Sequence, residues 1–154
     1  MSIICGGIRK IFRNGDFVTR IIKTSSPGKE RSTLSRAIVV TIREFMRQAK
    51  PDKNTQDMIA FIILALQEIA SGIDKSVVAW EKRGYWVKAD KYRMDWQWSG
   101  EIAEKLITTF NDQNWQKTAE LLLQIMHQFE KIKVSDRHRM GKPWVGAFNE
   151  YQKK

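Results

Sequence analysis

The chain of 154 residues contains few groups able to do covalent or metal chemistry: two histidines, one cysteine and scattered carboxylates. His127 and His138 have no partner at metal-ligand spacing. Glu101 and Glu104 lie three apart, the spacing of one helix face, yet no Glu-x-x-His follows to complete a di-metal carboxylate site. Gly6-Gly7 and Gly141 do not form a phosphate-cradling loop. Cys5 would act as a nucleophile only if the fold delivered a base to it. The expectation is a protein that is not an enzyme, with no catalytic, metal or cofactor-binding residues and no cofactor.

Binding chemistry is better represented. Residues 80–98 hold four of the six tryptophans, two of the three tyrosines and five Lys/Arg. Rings interleaved with cations suit a nucleic-acid strand, because rings stack on bases while Lys and Arg follow the phosphates. Tryptophans at helical spacing also fill cores, and Trp80, Trp96 and Trp98 are read that way. Trp86, beside Gly84 and between Arg83 and Lys88, is expected to be exposed, with Lys82 and Lys91 completing the cluster. A second cluster is Arg36, Arg43, Arg47 and Lys50, which at about 100° per residue share one helix stripe. Glu44 is the only acid between its ends. A third is Arg137, Arg139 and Lys142.

These clusters belong to an uneven charge distribution. Residues 1–31 carry seven Lys/Arg against two Asp/Glu, residues 133–154 carry six against two, and residues 32–132 are nearly balanced, for a net charge of +10. Two basic arms around a neutral body fit a polyanionic partner, since each cation that neutralises a phosphate releases a condensed counterion.

The body, 32–132, has helical hydrophobic periodicity throughout and one proline, Pro51, so the fold class is all-α, a bundle of about five helices. The first helix is predicted from about Leu34 to Ala49, capped by Ser32 or Thr33, with 24–32 as a linker. The second runs from about Thr55 to Ala70, opened by Asn54 or Thr55. Its run Met58 to Leu66 is apolar nearly all round and needs neighbours on every side. Gly72 is read as an interruption, with a further helix capped by Asp74 and ending near Gly84. Helices over Val87 to Trp98, Glu101 to Phe110 and Trp115 to Ile132 complete the bundle. In the basic N-terminal arm, Asn14-Gly15 between Ile11-Phe12 and Phe17-Val18 signals a hairpin, although the same residues could form an extended arm. The basic C-terminal tail, 133–154, carries a short helix after Pro143 with Trp144, Phe148 and Tyr151. No apolar run of about 18 residues suggests a membrane span. The lack of a long apolar N-terminal segment and the single cysteine fit a reducing cytoplasm.

Residues 31–45, Arg-Ser-Thr-Leu-Ser-Arg-Ala-Ile-Val-Val-Thr-Ile-Arg-Glu-Phe, enter the body from the polar linker. Together with the aromatic-basic segment, they make residues 31–132 resemble the small subunit of CRISPR effector complexes. The likeness is greatest to type I-D Cascade, where this subunit corresponds to the C-terminal helical domain of the large subunit. The N-terminal 31 residues depart from a minimal helical subunit. The resemblance implies a structural role in antiviral defence. Copies line the inner side of the complex, contact the crRNA-bearing backbone subunits and the large subunit, and hold target DNA, above all the displaced strand. Base pairing then supplies specificity and the protein supplies cations, with no cofactor. The alternative is a helical protein-protein adaptor that docks on an acidic partner through Trp144, Phe148 and Tyr151. A helix-turn-helix regulator turning between Ala49 and Asn54 is disfavoured, because the second helix is too apolar to read a groove.

Overall fold

The computed structural model describes residues 27–154, and the expected hairpin, Cys5 and Gly6-Gly7 lie outside them. The described residues form five α-helices and no strand: α1 Pro27–Arg47, α2 Lys53–Lys82, α3 Trp86–Asn111, α4 Trp115–Gln128 and α5 Ala147–Gln152. Helix α2 is the hub, packing against α1, α3 and α5, while α4 packs on α3. The residues from Met58 to Leu66 are all buried. By length and composition α2 could cross a membrane, but most of its apolar window is buried by the other helices.

Helix α1 begins at Pro27, earlier than the predicted Ser32 or Thr33, so residues 27–32 are helix and not linker. Proline suits the first helical turn, where its missing N–H has no partner to lose. The added turn is held from outside: the Arg31 guanidinium sits over the rings of Tyr92 and Trp96, 5.3 and 5.2 Å from their centroids, and donates to the Tyr92 hydroxyl.

Helix α2 is one element of 30 residues and runs through Gly72. An interior glycine costs about 1 kcal/mol relative to alanine. Burial of Ile69, Ile73 and Val77, which continue one face across it, outweighs that cost. The start is a capping box: Asp52 accepts from the Thr55 backbone N–H at 3.0 Å, and Thr55 Oγ1 accepts from the Asp52 N–H at 3.0 Å. Asp52, two or three residues upstream of the expected caps, thus opens the helix.

Helix α3 likewise joins the two segments expected on either side of Ser99-Gly100. A Cβ at Gly100 would lie 3.8 Å from Ala70 Cβ, an ordinary contact between α2 and α3. The predicted last helix stops at Gln128, and Phe129 turns inward as its C-cap.

The C-terminal segment carries a short helix that starts at Ala147 instead of just after Pro143, so Trp144 precedes it, and the segment is pinned to the body. Trp144 is 3% exposed, and its indole N–H donates to Asn54 Oδ1 at 2.7 Å. The carboxylate of Asp57 on α2 accepts the backbone N–H of Gly146 at 3.3 Å and of Phe148 at 3.0 Å, supplying the α5 N-terminus with acceptors from another helix. Phe148 and Tyr151 pack against Phe110, with ring centroids 5.8 and 5.5 Å away.

Candidate nucleic-acid interface

The turn between α2 and α3 brings the aromatic-basic cluster to one end of the bundle. It is a Schellman motif: Gly84 N–H donates to Glu81 O at 3.0 Å and Tyr85 N–H to Trp80 O at 2.9 Å. The motif needs a left-handed residue at Gly84, where φ is +81°, and glycine takes it without a Cβ clash. The chain therefore reverses within three residues, and the next side chains stand at a convex tip. Tyr85 is 54% exposed, Trp86 60% and Val87 85%.

Behind the tip the other rings belong to the body. Trp80 and Tyr92 pack with their rings tilted by 45° and centroids 4.8 Å apart, while Trp96 and Trp98 both pack on Phe129, at 6.3 and 5.2 Å. These rings are partly buried against the core, as expected of Trp80, Trp96 and Trp98, and the expected exposure of Trp86 is observed.

The ion pairs around the tip decide which cations face solvent unneutralised. Arg93 takes Asp90 at 2.8 Å and Glu81 at 3.1 Å, and Lys91 takes Asp95 at 3.0 Å. Both carboxylates on Arg93 raise its pKa, the Glu81 hydrogen bond most. The acids nearest the tip are thereby occupied. Lys82 and Arg83 form no ion pair among the described residues, and Lys88 stands over the Trp80 ring at 4.3 Å. Lys91, named with them from sequence, is instead neutralised by its neighbour one turn on.

The stripe on α1 has a different use from the one its spacing suggests. Arg43 donates to Val134 O at 2.7 Å and lies 3.6 Å from Asp136; Arg47 pairs with Glu44 at 3.4 Å and with Asp136 at 3.7 Å. Two of the four cations therefore fasten the segment after α4. Arg36 stays exposed on the helix, and Lys50 lies past its end, beyond the shared stripe. A contact ninety residues away in sequence leaves no trace in local spacing, so this role was not legible there.

Arg137 and Arg139 are exposed on the segment between α4 and α5, and Lys142 is exposed shortly before buried Trp144. Among the described residues no group of three or more His, Cys, Asp and Glu could hold a metal ion. His138 Nδ1 accepts the Met140 N–H at 3.3 Å, and His127 lies 3.8 Å from Glu130 on the surface. Compared with known protein families, curated proteins and solved structures, the chain has no significant match.

Proposed function

We propose that this protein is a non-catalytic nucleic-acid-binding subunit, in the role implied by its resemblance to the small subunit of CRISPR effector complexes. In that role it holds target DNA and the displaced strand beside crRNA-bearing backbone subunits, the large subunit and further copies of itself. The observation that carries the reading is the charge arrangement at the α2–α3 tip. Exposed Lys82, Arg83 and Lys88 lie within three residues of exposed Tyr85 or Trp86, while the adjacent acids are taken by Arg93 and Lys91. A surface with unneutralised cations and stacking rings offers a strand both kinds of contact it uses. The adaptor reading loses its docking helix, since Trp144, Phe148 and Tyr151 pack within the bundle.

Titration of labelled DNA and RNA across a salt series tests this. Affinity should fall log-linearly with salt, and the combined Lys82→Gln, Arg83→Gln, Lys88→Gln variant should lower the slope by about two, given a slope of about 0.7 per neutralised phosphate on a single strand. Absence of binding to any nucleic acid at low salt overturns the proposal.

A further inference from the structure

The tip is two things at once, and charge accounts for only one of them. Among the eight large hydrophobic side chains that the described residues leave exposed, Tyr85, Trp86 and Val87 are consecutive and stand at the apex of the α2–α3 hairpin. Nothing in the local packing demands rings there. The Schellman turn requires glycine at Gly84 and makes its hydrogen bonds through backbone groups of Gly84 and Tyr85. The first turn of α3 makes no side-chain cap hydrogen bond either. Neither Tyr85 nor Trp86 packs against the hydrophobic core, so a polar residue at either position would leave the core intact and expose less apolar surface.

The cations lie on more than one side of these rings. Lys82 ends α2 and Arg83 is its C-cap, whereas Lys88 is two residues beyond Trp86 on α3 and so about 200° round the helix from it. The apex is narrow because the two helices are joined by three residues, Arg83 to Tyr85. Such an apex cannot form a floor for a long run of bases. It has room for one or two rings of a ligand, with anionic groups of that ligand on the flanking cations.

Resting on the nucleic-acid reading of this tip, we infer that Tyr85 and Trp86 form a stacking site for one or two unpaired bases, with Lys82, Arg83 and Lys88 holding the adjacent phosphates. The site takes strands whose bases are free and gains nothing from bases closed inside a duplex. It is indifferent to base identity, since every base offers a π face.

The experiment compares three labelled probes of equal length on the full chain: an ordinary single strand, an abasic strand with the same phosphates, and a duplex. The ordinary strand should bind about tenfold more tightly than the abasic one, the scale of one stacked base. Trp86→Ala should abolish that difference while leaving the salt slope and the melting temperature unchanged, and Trp86→Phe should restore part of it. The charge variant should instead weaken all three probes together. If ordinary and abasic strands bind alike and Trp86→Ala changes nothing, the stacking site is overturned while salt-dependent nucleic-acid binding stands. Binding of Trp86-dependent kind to anionic phospholipid vesicles, with both strands bound alike, overturns it in favour of a lipid surface. If no probe binds at low salt, the nucleic-acid reading itself falls.

Discussion

Arg31 shows how a side chain with an unremarkable sequence setting becomes structural. Its guanidinium lies over Tyr92 and Trp96 and donates to the Tyr92 hydroxyl, and burial holds its pKa below the ordinary arginine value. A compact ammonium lacks the planar, multi-donor head that meets two rings and a hydroxyl at once. Arg31→Ala should therefore cost about 1–2 kcal/mol in denaturant melts, as for a partly desolvated cation–π contact. Arg31→Lys should recover less than half of the loss, and an unchanged melt for Arg31→Ala would remove the contact from the fold's energetics. Glu68 supplies a pH test. Burial pushes its carboxyl above the ordinary range, opposed by Lys75 and Lys154 and reinforced by Glu30. A raised carboxyl means that the folded state holds the proton more tightly than the unfolded one. Its cost is absent at pH below the ordinary carboxylate range, grows as pH rises to the raised value, and is constant above it. Glu68→Gln should raise the melting temperature at neutral pH and leave it unchanged in strong acid. Parallel pH profiles for the two proteins would show that Glu68 contributes no such cost.

At the scale of the element, the glycines separate what the sequence shows from what it conceals. Gly84 was readable as a helix end because the apolar pattern stops beside it, and its φ of +81° bears that out. Gly72 looked like a break and is not one. The signal that overrides it, Ile69-Ile73-Val77 on a continuous face, acts only once α1 and α3 are present to bury that face. Nothing lies within 4 Å of a Cβ built on Gly72, so Gly72→Ala should stabilise by about 0.5–1 kcal/mol. The turn between α3 and α4 repeats the Schellman pattern, with Asn114 N–H donating to Thr109 O at 2.9 Å, but places Gln113 at a φ of +55°. Relief of that conformation by Gln113→Gly should stabilise by about 1 kcal/mol, whereas Gly84→Ala should destabilise by a similar amount. Chemical denaturation of the three variants checks these signs, and a destabilised Gln113→Gly would contradict the assigned turn.

For the whole molecule, composition and period were enough to read an all-α bundle with an enclosed second helix, since the run Met58 to Leu66, apolar nearly all round, needs neighbours on every side. The place of the C-terminal segment was not readable, because its attachments are long-range: Arg43 to Val134 O, Asn54 to Trp144, and Asp57 to the first turn of α5. A Trp in a basic terminal segment, followed by Phe148 and Tyr151, looks the same in sequence whether it waits for a partner or closes its own core. Here it closes the core, and residues 130–154 behave as part of the bundle instead of a tail. Removal of everything after Phe129 would expose the α2 and α3 surfaces under Trp144 and α5 and orphan Asn54, Asp57 and Arg43. Truncation of a buried aromatic such as Trp144 costs about 3–5 kcal/mol. That is a large share of the roughly 5–15 kcal/mol holding a domain together. The shortened chain should lose cooperative thermal unfolding, while Trp144→Ala in the full chain should still fold with a lower melting temperature. Circular dichroism melts of both decide it: a shortened chain that unfolds cooperatively within a few degrees of the full one would show that the segment only lies on the bundle.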